Sequence, residues 1–310
     1  MSSIAHLNYD SYYQHTLQGA FRCEGRGLHY DRNVIMHVMP AAVNTGYVFV
    51  RQDVPKDYSR IIAKWENVAD TRLSITILNK FGVRVSSVGH LLAALYANGI
   101  TNALIKLNGP EVPVMDGSAQ SFADTIKRIG ALTQEHERPA IIIKSPTKLI
   151  ASEAMVELLP SPVARASVQM RINSETDNAH KLSLPLTRNT FATELSAART
   201  FGTLEQINAL HKIGLARGCS YENTVLIDGK HTINSEGLRY EDEFVRHKIT
   251  EWISTLALTG KYVMGSFRGN ENDARTNFVL LNKLMTNKDN WEYSTMRGAY
   301  KYWRNMYEWN

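Results

Sequence analysis

The sequence predicts an α+β protein built from two similar domains, each a β-sheet with helices, and three observations predict it. A length of 310 residues is enough for two cores of ordinary size. Strand and helix patterns follow one another in the same order, strands, helix, strand, helix, in both halves. Between the halves lies the polar stretch ALTQEHERP, residues 131–139, which ends in a proline. The division expected is residues 1–135, residues 136–294 and an aromatic tail, residues 295–310.

In the first half, VIMHVMPAAVNTGYVFV (34–50) reads as two strands around a Pro and Asn-Thr-Gly turn, and LSITIL (73–78) as another strand. From Ser86 or Ser87, as N-cap, VGHLLAALYANG carries apolar residues at helical spacing and stops at Gly99. NALIKL is a following strand, and SFADTIKRIG a helix closed by Gly130. In the second half ERPAIIIKS, AMVELLP and ARASVQMRI read as strands. The long helix EDEFVRHKITEWISTLALTG ends at Gly260, YVMGSF is a strand, and TNFVLLNKLM a further helix. The tail places Tyr300, Trp303 and Tyr307 on one helical face. It is expected to pack on the core, with peripheral membrane contact or a partner as the alternative.

Composition narrows the function classes. No apolar run approaches the ~20 residues of a membrane span, and the N-terminus shows no basic segment followed by an apolar one, so no secretion signal is expected. Cys23 and Cys219 are the two cysteines, which argues for a reducing compartment and a cytoplasmic protein. The net charge of +5 is dispersed, and without a long basic run or a recognition motif, nucleic-acid binding is not expected.

The chemistry centres on His247 and Glu251, four apart and therefore on one helix face. Such a pair is more often a surface ion pair, but imidazole and carboxylate also suit zinc, whose catalytic sites use three protein ligands plus water. The neighbouring segments EGRGLH (24–29), SVGHLLAAL (87–95), VPVMDGSA (112–119), ARTFG (198–202), NSEGLRYEDEFVRHK (234–248) and GSF (265–267) occur in this order. Together they resemble the UDP-3-O-acyl-N-acetylglucosamine deacetylases, the zinc hydrolases of lipid A biosynthesis in Gram-negative bacteria, from about residue 16 to about residue 293.

The resemblance implies two similar domains with their helices sandwiched between two sheets. It implies zinc as cofactor, held by His90, His247 and Glu251, with Glu251 standing where the family has an aspartate. Thr200 matches a threonine that contacts the oxyanion and Lys248 a lysine near the metal; read alone, they are a turn hydroxyl and a surface lysine. Phe201, His29 and Cys219 match positions near the substrate, although His29 alone reads as a core or capping histidine. Residues 203–230 correspond to the family's acyl-chain passage, in which Arg217 and Cys219 replace smaller or apolar residues.

The proton-transfer groups depart from the family. Gly89 replaces the general-base glutamate, Thr255 an acidic residue one turn beyond the helix ligand, and Phe278 is placed at the position of a catalytic histidine by anchoring on LNKL (281–284). Glu241, Asp242 and Glu243 offer carboxylates, but equivalents occur in ordinary family members. The reading is therefore a non-catalytic or strongly impaired deacetylase relative. Its partners would be a UDP-acyl-aminosugar or acyl-chain ligand, the active deacetylase, or a regulator of lipopolysaccharide synthesis. The alternative is an active zinc-dependent amidohydrolase with a rearranged base.

Overall fold

Along Asn33–Pro40 the side chains of Val34, Met36 and Val38 are buried while their neighbours are not, and Ala103–Leu107 alternates in the same way. A two-residue period turns one face of each strand into the interior. The computed structural model describes residues 12–171 and 179–308. In it these strands belong to a five-stranded sheet of order 21–26, 33–40, 103–107, 47–51 and 60–62. Tyr47–Arg51 and Ala103–Leu107 run parallel; the remaining pairs are antiparallel.

The second half builds a seven-stranded sheet around Tyr262–Asn270. That strand runs parallel to Pro139–Ile143 and to Arg165–Arg171, and antiparallel to Ala154–Pro160. Each half also carries a small three-stranded sheet, one from residues 68–70, 76–78 and 84–85, the other from 201–203, 225–228 and 231–232.

The α-helices among the described residues are α1 (Gly89–Ala97), α2 (Gln120–Ile129), the single turn α3 (Arg188–Thr190), α4 (Leu204–Lys212), α5 (Glu243–Ala257), α6 (Ala274–Thr286) and α7 (Met296–Glu308). Every residue from Leu91 to Tyr96 of α1 is buried, so this helix has no solvent face and must be covered on all sides. It packs on α5, which in turn packs on Arg165–Arg171. One apolar cluster runs through both halves, from Leu17 in the first to Met285 in the second. The molecule is thus α+β, with α1 and α5 in the core shared by the two halves.

Three sequence expectations change at their edges. The hydroxyls of Ser86 and Ser87 do not cap α1, which starts at Gly89 with Val88 at the N-cap and no side-chain cap bond. Ser87 instead takes a φ of 58° and donates to Glu111 at 2.8 Å, because a buried carboxylate is a stronger attractor than a helix amide. The stretch 131–139 is not a loose connection: Ala131–Glu137 forms an antiparallel ladder with Tyr13–Leu17. Its side chains are almost all exposed, so no apolar periodicity marked it. The strand expected over 73–78 begins only at Thr76.

The tail docks. Trp291–Thr295 pairs with Pro139–Ile143 at the sheet edge, and α7 places buried Trp303 against Ala140, Ile142 and Met264. Tyr300 is half-buried, while the side chain of Tyr307 lies outside the described residues. No described helix is long and apolar enough to cross a membrane.

Candidate active site

The N-terminal end of α1 meets the middle of α5. His90, the second residue of α1, and His247, on the inward face of α5, lie with ring centres 5.3 Å apart at an angle of 69°. One turn along α5, Glu251 directs Oε1 to within 3.4 Å of His247 Nε2. The other carboxylate oxygen accepts a hydrogen bond from Lys248 Nζ at 3.0 Å. A small pocket of about 80 Å³ opens here, lined by Gly89, His90, Thr200, His247 and Glu251, with Leu28, Ile75, Phe122 and Ser254 among its walls.

The electrostatics of the cluster follow from burial and from neighbours. Desolvation, reinforced by the nearby His247, pushes the His90 imidazole down to about 3, so this ring is neutral and keeps a lone pair for a cation. Burial alone would raise Glu251, but the Lys248 ammonium and then His247 outweigh it and hold the carboxyl at about 2. Glu251 is therefore ionised across the neutral range. Among the residues lining the pocket it is the one carboxylate.

Two imidazoles and a carboxylate are donors that suit zinc, and ligand atoms sharing a tetrahedral ion at about 2.0–2.1 Å stand roughly 3.4 Å apart. The His247–Glu251 separation of 3.4 Å matches that spacing, and the Nδ1 atom of His247 is buried without a hydrogen-bond partner. The donor set fits the ion. Yet no three His, Cys, Asp or Glu side chains among the described residues form a preassembled metal group, and Lys248 already neutralises the carboxylate.

Gly89 leaves a gap where a side chain would fit. A Cβ built on it would meet Ser254 Oγ at 3.5 Å, ordinary contact, and its φ is not in the left-handed region. Ala274, the first residue of α6, lines the pocket; Phe278, matched by the resemblance to the family's catalytic histidine, lies a turn further along the helix and is not among the lining residues. The helix starts at the pocket because Asp273 and Thr276 form a reciprocal cap at its first turn. Thr255 is fully buried and donates to the Glu251 carbonyl at 3.0 Å, away from the pocket.

Thr200 lines the pocket, with its backbone fixed by Gly117 and Val225. Phe201 stacks edge-on against His247, ring centres 5.7 Å apart, and carries the Lys248 ammonium 5.1 Å above its own ring. His29 and Cys219 do not line the pocket. The His29 amide donates to buried Glu111 at 3.0 Å, and burial lowers its ring below the ordinary range. The His29 carbonyl accepts from the Arg217 amide. Thus the loop carrying Cys219 packs on the GRGLH segment. Arg217 itself is exposed, which avoids the cost of an unpaired buried guanidinium. Burial raises the Cys219 thiol.

Of the three acids at the start of α5, Glu243 and Asp242 are used elsewhere. Glu243, wholly buried, accepts from Arg199 Nε at 2.9 Å and Nη2 at 3.1 Å, and from the Arg239 amide at 2.7 Å. Asp242 pairs with Arg246, and Glu241 is exposed. Arg239 also bridges to Asp116 of the MDGSA segment at 2.7 Å, tying α5 to the first half. Sequence reasoning did not anticipate this network, because its partners are more than forty residues apart.

The sequence comparisons match this frame over nearly its whole length. A family model for UDP-3-O-acyl N-acetylglycosamine deacetylase covers residues 14–286. The chain belongs to that deacetylase family. The UDP-3-O-acyl-N-acetylglucosamine deacetylase of Geotalea uraniireducens is 39% identical over 279 residues, covering 90% of each chain. That of Phenylobacterium zucineum is 38% identical, covering 91% of this chain and 97% of its own. That of Shewanella oneidensis is 35% identical over 90% of this chain. Membership in the deacetylase family accounts for the order of motifs around the pocket, from GRGLH to GSF.

Proposed function

We propose that this chain keeps the ligand-binding body of the deacetylase family and hydrolyses substrate slowly or not at all, with a binding or regulatory role in lipid A and lipopolysaccharide synthesis. The observation that carries the reading is the shortage of proton-transfer groups in the pocket. Its one carboxylate, Glu251, is held between His247 and Lys248 at about 2, whereas an effective general base has a pKa near the working pH. Gly89, which lines the pocket, and Phe278, matched to the family's catalytic histidine, offer no proton at all.

In this reading the ligand is a UDP-acyl-aminosugar. His90, His247 and Glu251 would hold zinc, which when bound supplies Lewis acidity and a more acidic water. Thr200 is assigned the oxyanion side of the ligand and Lys248 the charge beside the metal. Phe201 is assigned the wall over the sugar, and the loops of His29 and Cys219 the route of the acyl chain. The working location is the cytoplasm, and the active deacetylase or a lipopolysaccharide regulator is the protein partner proposed. Residues 1–135 and 136–294 are taken as the two repeats.

Calorimetric titration of the zinc-loaded chain with UDP-3-O-acyl-N-acetylglucosamine, with acetate release followed on the same sample, tests the reading. Saturable binding without acetate release is the expected outcome. Sustained release that disappears in His247→Ala would establish the competing reading, a zinc amidohydrolase with a rearranged base.

A further inference from the structure

A second cavity, larger than the pocket at His90, lies elsewhere among the described residues. It has a volume of about 530 Å³ and lies at the opposite end of α1, under Tyr96 and Gly99, sharing no wall residue with that pocket. Small organic ligands occupy cavities of roughly this size.

One wall is cationic. Arg138 is 8% exposed, and its backbone is clamped on both sides, the amide donating to Tyr12 and the carbonyl accepting from Met296. Its guanidinium lies over the Tyr262 ring at 4.9 Å. Its Nε is buried without a hydrogen-bond partner, and no carboxylate lines the cavity. Arg188 reaches the same place from the other side, anchored by a 2.7 Å hydrogen bond from Nη2 to the Asn98 carbonyl. Both arginines close on one point: a Cβ on Gly99 would stand 3.3 Å from Arg188 Nη2 and 3.9 Å from Arg138 Nη1.

A buried guanidinium without an anion is costly, and two cations on one spot add repulsion. The opposite wall is apolar, formed by Phe191, Leu195 and Leu256, each at most 2% exposed. An inorganic anion would satisfy the arginines and leave that wall wet. A neutral apolar molecule would fill the cavity and leave the charge bare.

We infer that this cavity is a second ligand site, which takes an organic carboxylate with an apolar body, its head on Arg138 and Arg188 and its chain against Phe191, Leu195 and Leu256. The inference is independent of what the pocket at His90 does.

Titration of the full chain with octanoate, 1-octanol and inorganic phosphate tests it. Octanoate is expected to bind saturably with one site, and octanol and phosphate roughly tenfold or more weakly. Arg138→Met should lower octanoate affinity by about tenfold or more, leave octanol unchanged, and melt no lower than wild type without ligand. A purely structural arginine would lower the melting temperature when replaced. If Arg138→Met does not fold, Arg188→Gln, at an exposed position, should show the same selective loss for octanoate. Absence of saturable octanoate binding at millimolar concentration overturns the inference. So does equal binding of octanol or phosphate, or an octanoate affinity untouched in both variants.

Discussion

Gly89 is a glycine that the backbone does not require. Its φ is not in the left-handed region, and a Cβ there would make only ordinary contact with Ser254. Gly89→Ala should therefore stabilise the fold by about 0.4–1 kcal/mol through the unfolded chain, measured by urea denaturation; a loss of stability would reveal a steric demand. Contrast Gly117, where a Cβ would stand 1.8 Å from the Asn223 carbonyl oxygen at a φ of +80°. The same scale governs the thiols. Burial pushes Cys23 up to about 11 and raises Cys219 as well, so little thiolate forms in the folded chain at pH 8. A thiol reagent should modify native protein slowly and denatured protein fast; rapid titration of both thiols in the native state would contradict this burial. His247 and Glu251 were legible as a pair because helical spacing places them on one face, and as metal candidates together with His90 only through the family resemblance. Ala274 was not, since an alanine carries no chemical signal and only the cap at Asp273 fixes where its helix begins.

At the scale of the element, α5 carries two of the candidate ligands, His247 and Glu251, and Glu243, which is buried against Arg199. Arg199 is 1% exposed and Glu243 fully buried. Removing one partner of such a pair leaves an uncompensated charge and costs about 3–5 kcal/mol. Glu243→Ala should lower stability by that amount, read from the denaturation midpoint, and a change under about 1 kcal/mol would show that water solvates Arg199. Sequence pattern located α1, α2, α5 and α6 because runs of apolar residues at helical spacing are local, and because Gly99, Gly130 and Gly260 stop the first three at positive φ. It missed α4, which is amphipathic but has no buried residue, and the strand Ala131–Glu137, whose exposed side chains alternate nothing. Those elements are fixed by a reciprocal cap between Thr203 and Gln206 and by a ladder to Tyr13–Leu17. The ladder's partners are far apart in sequence and could not be read locally.

Across the whole molecule, the two halves share one core, and the Arg239–Asp116 bridge and the α1–α5 contact join them. Neither half buries its helices alone, so urea should unfold the chain in one transition, with tryptophan fluorescence and far-ultraviolet circular dichroism changing together. Two separated transitions would mean that the halves are independent. The same joint core holds the His90 and His247 rings in fixed relation, so the scaffold that supports ligand binding persists whatever proton chemistry the pocket can perform. On the function proposed, Gly89 and Phe278 stand in place of two proton-transfer groups, each worth about 10²–10⁴-fold, and that sets the rate expected of it. The decisive measurement is acetate release from UDP-3-O-acyl-N-acetylglucosamine by this chain and by the Geotalea uraniireducens relative, both zinc-loaded and at equal concentration. The account predicts a rate lower by about 10⁴-fold or more; a rate within about tenfold of the relative, lost in His247→Ala, would contradict it.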